Sequence, residues 1–483
     1  MTAASGSPTT TTANAPSVEN GWPLPRSARP WGSLTLFSTS VSTAIATWCF
    51  LGGGFVSYFL AAGDGTLAVL AGSLIGILFI VLSCLPPSAK YGIDSVVGSR
   101  AQFGTRGAGL SLFLVYASVL GWNVILFIFL GRATASIAGA LGWVAPSWFV
   151  GACGVAGILV VLAMLARGPQ AVRDFSRPIA MLVVLLSIVV LTILLVQVGV
   201  GELFSAPPVA STADPATDWA SGVEVMIASN LSWWAYTGAM VRNSGSARTS
   251  LWPVVIGLGL GVGVSSLTGL YAGLALPDSA GDPTQFLVDV GGPVVGVVAL
   301  AFVVLGNIGT AIVGVYASTL AVRQFPVVQR WSWRASTLLA VLPAFVLVGF
   351  FADDVFSRFG TFLAFLGVCF GPMAGIQIAD YFVCRRQRYQ LGALYDGSPG
   401  APYHYWGGFN PVGFVAFAAG MATYIYLLDP VSYVSRPPFQ YTTASVPAVV
   451  VAGLVYWFGV TAVLRPLGRG GYDSRAPVVA REG

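Results

Sequence analysis

Apolar residues gather along this chain into twelve long stretches, and polar residues are confined to the gaps between them. The stretches cover 34–61, 66–86, 109–139, 147–166, 177–199, 220–241, 253–276, 293–321, 335–351, 357–383, 411–428 and 446–464. Each reaches the roughly 17–20 residues that a helix rising about 1.5 Å per residue needs to cross about 30 Å of hydrocarbon. The pattern predicts an all-α polytopic membrane protein with twelve transmembrane helices.

Charge alternates with the stretches. Arg26 and Arg29 precede the first, Lys90, Arg100 and Arg106 follow the second, Arg167, Arg173 and Arg177 follow the fourth, and Arg242 and Arg248 the sixth. The same side carries Arg323, Arg330 and Arg334, then Arg385, Arg386 and Arg388, then Arg465, Arg469, Arg475 and Arg481. The opposite gaps hold mainly acids, among them Asp64, Glu202, Asp214, Asp278 and Asp353. Basic loops stay in the cytoplasm, so the alternation predicts a multi-pass plasma (inner) membrane protein with both termini cytoplasmic. Composition agrees: 56% of the 483 residues are hydrophobic and 8% charged, too apolar for a water-exposed surface.

The net charge of +5 and the pI near 9.0 follow from basic loops facing anionic lipid, so no nucleic-acid partner is expected. Residues 1–33 read as a disordered cytoplasmic tail, with the first span as an uncleaved insertion signal. Cys49, Cys84, Cys153, Cys369 and Cys384 have no C-x-x-C spacing and read as small apolar residues.

Enzyme chemistry lacks its parts. His404, the one histidine, lies in the loop before the eleventh stretch, which leaves no Ser-His-Asp or His-rich metal set. No phosphate-cradling G-x-x-x-x-G-K-[ST] occurs, so ATP-driven pumping would need another chain. A channel would want charged rings or filter carbonyls repeated by symmetry. The expectation is a monomeric secondary carrier with no cofactor.

Two stretches read as broken helices. Thr47-Trp48-Cys49-Phe50-Leu51-Gly52-Gly53-Gly54 sets three consecutive glycines at membrane depth, each costing about 1 kcal/mol of helix propensity relative to Ala. Five spans later, Ser229-Asn230-Leu231-Ser232-Trp233-Trp234-Ala235-Tyr236-Thr237-Gly238 gathers polar and aromatic residues mid-span. Breaks in corresponding positions of two halves point to an inverted-repeat carrier, because unwound backbone is tolerated only where it lines a cavity. The alternative is that the glycines serve close helix packing.

Several motifs resemble the nucleobase:cation symporter-1 family. They are Arg26-Ser27-Ala28-Arg29-Pro30-Trp31-Gly32, Ser99-Arg100-Ala101-Gln102-Phe103-Gly104-Thr105-Arg106-Gly107 and Gly121-Trp122. The strongest is Gly371-Pro372-Met373-Ala374-Gly375-Ile376-Gln377-Ile378-Ala379-Asp380-Tyr381-Phe382-Val383, followed by Arg385-Arg386, Leu394-Tyr395 and Tyr403-His404-Tyr405-Trp406-Gly407-Gly408-Phe409-Asn410. The resemblance implies a leucine-transporter-type 5+5 inverted repeat plus two C-terminal helices. It divides the chain into a transport core over 34–383, with repeats of about 34–199 and 220–383, a cytoplasmic loop over 384–410, accessory helices over 411–464 and a tail over 465–483. It also implies alternating-access import of a nucleobase or related planar heterocycle, driven by H⁺ or Na⁺.

The resemblance sets the substrate ring between aromatic faces from spans three and six. Trp122 falls on the first position, where offset stacking adds about 0.5–1.5 kcal/mol beyond area burial. Asn230 falls on the second and is a candidate for reading the ring's donor and acceptor edge, or else an interhelix hydrogen bond. Trp233 and Trp234 are alternative second faces, and Ser229, Trp48 and Asn123 complete the candidate set. Usual amide positions fall on Ala46, Leu126 and Val315, which implies a ligand read by few polar groups. The family's sodium site maps onto Ser42, Ile45 and Gly306 for carbonyls and Thr310 for one hydroxyl. Gly309 stands where a second hydroxyl belongs, which favours H⁺ over Na⁺. A zwitterion carrier of the same architecture is the alternative, and it would need a helix N-terminus or Arg for its carboxylate.

Overall fold

The computed structural model describes residues 22–166, 170–212 and 214–472. Residues 1–21 of the tail expected over 1–33, Arg167, and the stretch 473–483 with Arg475 and Arg481 lie outside the described residues, whereas 22–33 is ordered against the bundle, with Leu24 N bonded to the Gly92 carbonyl at 2.9 Å and Trp31 N to that of Asn243 at 3.0 Å. The fold is helical: α1 (Ser33–Ala44), α2 (Trp48–Val56), α3 (Ala62–Tyr91), α4 (Ser95–Phe103), α5 (Gly109–Ala140), α6 (Phe149–Leu165), α7 (Gln170–Gln197) and α8 (Pro215–Leu231) form its first half. α9 (Trp234–Val241), α10 (Ala247–Ala275), α11 (Pro283–Val322), α12 (Trp333–Phe350), α13 (Phe359–Cys384), α14 (Pro411–Leu427) and α15 (Ser445–Leu464) follow. Among the described residues, seven helices are long and apolar enough to cross a membrane, or eight if the bent α1–α2 pair is one span. α6, α14 and the end of α7 are shorter apolar helices.

Helix starts follow local chemistry. Asp214 caps α8 by accepting from Ala216 N at 3.1 Å, with Pro215 pre-set at the first helical position. A bond from Thr217 Oγ1 at 2.7 Å and that from Ala216 N hold the Asp214 carboxyl below its usual range. Asp282 caps α11 in the same way through Thr284 N at 2.9 Å. α11 then kinks at Gly292, whose φ of 71° only glycine adopts readily, immediately before Pro293. The apolar stretch read from the sequence begins at that proline.

α1 and α2 meet at a 68° bend. The break lies at 45–47, where Ile45 is extended at φ −82° and ψ 109°, ahead of the glycine triplet. The triplet sits inside α2 and serves close packing, the alternative reading of those glycines. A Cβ on Gly53 would stand 1.7 Å from the Ser266 carbonyl oxygen of α10. The second interruption is milder than expected. Ser232 and Trp233 keep helical backbone angles, and a tight turn of Ser232 N–Ser229 O and Trp233 N–Asn230 O bonds joins α8 to α9.

Two buried carboxylates tie the bundle together. Asp380, near the end of α13, accepts from Arg385 Nε at 2.9 Å, Gln102 Nε2 at 2.6 Å and Tyr472 Oη at 3.0 Å. Arg385 also donates to the carbonyls of Ala101 and Gly470, so α4, α13 and the segment after α15 share one polar knot. Glu224 of α8 accepts from Ala444 N, Ser445 N and Ser445 Oγ at 3.0, 2.9 and 2.6 Å. A carboxylate at a helix N-terminus is electrostatically favoured, and here it pins α8 to the start of α15.

Candidate substrate site

The bend between α1 and α2 places Trp48 as the first residue of α2, facing the middle of α5. Its ring centroid lies 4.7 Å from that of Trp122, with planes tilted by 50°. Trp233, in the turn between α8 and α9, lies 6.3 Å from Trp48 and 5.4 Å from Tyr236. Two rings of α13 close on Trp122 edge-on, Phe362 at 5.1 Å and Phe359 at 6.1 Å. The three tryptophans keep 6%, 7% and 5% of their surface exposed, so the cluster is nearly sealed.

Polar groups in the cluster are few. Trp122 Nε1 donates to Ser232 Oγ at 3.3 Å, and Ser232 Oγ donates to the Ser229 carbonyl at 2.7 Å. Trp233 Nε1 and Ser229 Oγ are buried with no hydrogen-bond partner. Ala46, Leu126 and Val315, which stand where amides were expected, are buried apolar side chains.

Other sequence-derived candidates stand elsewhere. Trp234 is fully buried, its Nε1 donating to Gln377 Oε1 of α13 at 2.7 Å and its ring 5.9 Å from Phe370. Asn230 donates from Nδ2 to Ser73 Oγ of α3 at 3.1 Å and to the Met226 carbonyl at 3.0 Å, which is the interhelix bond rather than a place among the tryptophans. Asn123 donates to Ser318 Oγ of α11 at 3.3 Å. Of the cation candidates, Ser42 Oγ donates to the Thr39 carbonyl at 3.0 Å, and Thr310 Oγ1 to the Gly306 carbonyl at 3.1 Å. Both hydroxyls are therefore turned onto their own helices. Ile45 is half-buried, while Gly306 and Gly309 are buried. Thr47 and Asn307 hydrogen-bond across the α1–α2 break to α11.

Sequence reasoning missed Ser232 and Glu224, and it picked out Asn307 as a polar group near the pocket without its partner Thr47. A lone serine or threonine inside an apolar stretch gives no periodic signal. Glu224 did: an acid inside a span is expensive enough to announce a partner.

A bundle of apolar helices with one span broken beside a buried aromatic cluster is the architecture of a multi-pass membrane protein. The family model described as permease for cytosine/purines, uracil, thiamine and allantoin matches residues 23–446. The chain thus belongs to the nucleobase:cation symporter-1 family, a family of permeases rather than enzymes. It is 25% identical to the purine-uracil permease NCS1 of Arabidopsis thaliana over 451 residues, 87% of this chain and 73% of that one. Its fold is similar to Mhp1 in the inward-facing conformation, with a TM-score of 0.77, 17% identity, and 92% and 94% of the two chains covered. Closed Mhp1 with bromovinylhydantoin bound superposes at a TM-score of 0.71, also at 17% identity, covering 92% and 96%.

Proposed function

We propose that this permease imports a nucleobase-related planar heterocycle by alternating access, through a monomer of twelve spans built as a 5+5 inverted repeat plus two accessory helices. It acts in the plasma (inner) membrane with both termini cytoplasmic. The observation that carries the reading is the Trp48–Trp122–Trp233 cluster at the α1–α2 bend, because flat π-faces suit a flat heterocycle. The bromovinylhydantoin held by Mhp1 is a ligand of that chemistry. Buried Arg385 and Arg242 are already paired with Asp380 and Asp94 at 2.9 and 3.8 Å, which disfavours a zwitterion needing a free guanidinium.

Coupling to H⁺ is preferred over Na⁺, since Gly309 supplies no hydroxyl beside that of Thr310. Thermal-shift screening of the purified protein against a heterocycle panel, with and without Na⁺, tests the reading. A ligand that binds only the folded state raises the melting temperature. Stabilisation by zwitterionic amino acids and by no heterocycle would reverse the assignment.

A further inference from the structure

Four acidic side chains are buried among the described residues: Asp218, Glu224, Asp282 and Asp380. Two of them face an arginine, Asp282 at 3.0 Å from Arg132 and Asp380 at 2.9 Å from Arg385. Protonating either would leave that arginine without its counter-charge, which is strongly unfavourable. Asp218 belongs to the first turn of α8 and accepts from Thr212 N, in the loop before it, at 2.9 Å. Glu224 differs from all three. It lies inside α8, about 13 Å of helix beyond Pro215, and its bonds come from Ala444 N, Ser445 N and Ser445 Oγ, none of them charged. Its ionisable neighbours are the phenols of Tyr424 on α14 and Tyr433 in the loop after it, and Cys369 of α13 packs in the same cluster as Tyr424. The helices packed on α8 carry charges only near their ends, Asp64 and Lys90 on α3 and Asp380 on α13. Arg436, before α15, donates to the Tyr426 carbonyl at 3.3 Å. A proton added to Glu224 therefore breaks no ion pair among the described residues.

The turn that supplies those donors is strained. Thr443 has φ 61° and ψ −168°, a region that almost only glycine occupies, and the two residues after it present Ala444 N and Ser445 N together to the carboxylate. Thr443 Oγ1 is itself buried without a partner. The carboxylate charge compensates for this backbone. A protonated carboxyl is a weaker acceptor, and its O–H would face two N–H groups that accept nothing. Protonation thus loosens the turn and the hold of α15 on α8. About 7.5 Å further along α8 stands Ser229, whose carbonyl accepts from Ser232 Oγ, the partner of Trp122. The helix that carries the acid therefore also carries the turn that builds the aromatic cluster.

We propose that Glu224 is the proton-binding site that couples this carrier to a proton gradient. Its carboxylate takes a proton from water on the outer side, forming an O–H bond and releasing the start of α15, and returns that proton to water on the cytoplasmic side. This rests on the preference for H⁺ above.

The test follows uptake of uracil, cytosine, hypoxanthine and adenine into vesicles holding purified wild type, Glu224→Gln or Ser445→Ala, with and without an imposed pH gradient. Melting curves are the control for folding. Wild type should accumulate ligand when the gradient is imposed. Glu224→Gln keeps an acceptor oxygen for Ala444 N and Ser445 N but takes up no proton, so its uptake should be the same with the gradient and without it. Ser445→Ala removes one donor to the charged carboxylate and should move the pH profile of uptake about one unit toward alkaline pH. That shift decides the matter where Glu224→Gln fails to fold or carries nothing. A structural pin alone would lower both melting temperatures and leave the profile in place. A folded Glu224→Gln that still accumulates ligand under the gradient, or an unmoved profile in Ser445→Ala, overturns this proposal alone. Wild-type uptake that ignores the gradient overturns the preference for H⁺ and this proposal with it. A folded wild type that takes up none of the four overturns the heterocycle reading on which both depend.

Discussion

Trp234 gives its indole N–H to Gln377 Oε1 at 2.7 Å, and that bond points its ring at α13 and away from its sequence neighbour Trp233. The motif glutamine of α13 thus has a helix-locking partner. Trp234→Phe removes the donor and leaves a buried amide oxygen unpaired, a loss of about 1–3 kcal/mol. The melting temperature should fall while the order of competing heterocycles stays as in wild type. A changed order at unchanged stability would return Trp234 to the substrate site.

Asn230 makes the same kind of prediction with a sharper control. Its amide joins α8 to α3 through Ser73 Oγ, which donates in turn to the Gly259 carbonyl of α10 at 2.6 Å. Asn230→Leu and Ser73→Ala should each destabilise, and their double variant should show coupling of about 0.5–3 kcal/mol, as expected for residues in one hydrogen-bond network. Additive losses, or an altered ligand profile in Asn230→Leu, would favour the ring-reading role that the sequence motif suggests.

The family and the helical class were legible from apolar stretches and motif spacing, because these signals are periodic or contiguous. The directions of Trp233, Trp234 and Asn230 were not. Consecutive residues on a helix diverge by about 100°, so the turn at 232–233 decides which one faces Trp48. The glycine triplet was ambiguous for a related reason: composition shows that a backbone must be bare, and only the fold shows whether a break or a neighbouring helix requires it. Here the neighbour is Ser266 of α10.

That contact separates adjacent glycines. A Cβ on Gly53 would overlap the Ser266 carbonyl, whereas one on Gly52 meets only Met226 Sδ at 4.0 Å. Gly53→Ala should destabilise by about 1–3 kcal/mol through overpacking, or prevent folding outright. Gly52→Ala should be near neutral or slightly stabilising, as Ala favours a helix by about 1 kcal/mol. Matching melting temperatures for the two variants would contradict the packing between α2 and α10.

Asp380 and Arg385 form a buried pair, so removing one partner is worse than removing both. Arg385→Met strands a carboxylate and should cost about 3–5 kcal/mol. The double variant Asp380→Asn with Arg385→Met should recover part of that loss. Arg385→Lys should not rescue, because one ammonium cannot reach Asp380, the Ala101 carbonyl and the Gly470 carbonyl together. Purified yield and melting temperature read the outcome, and a fully stable lysine variant would show the knot to be dispensable.

The coupling ion offers the last test, and Gly309 is its lever. Na⁺ wants a shell of hard oxygen ligands, and Gly309 adds none beside the Thr310 hydroxyl. Wild-type uptake should be nearly independent of Na⁺ and should follow a proton gradient. Gly309→Ser adds a hydroxyl beside Thr310 and should increase Na⁺ dependence, and Thr310→Ala in that background should cancel the gain. Uptake in vesicles with Na⁺ and pH gradients imposed separately distinguishes the cases. Strong Na⁺ stimulation of wild type that Thr310→Ala abolishes would mean that the cage is complete without a hydroxyl at Gly309, and the preference for protons would be wrong.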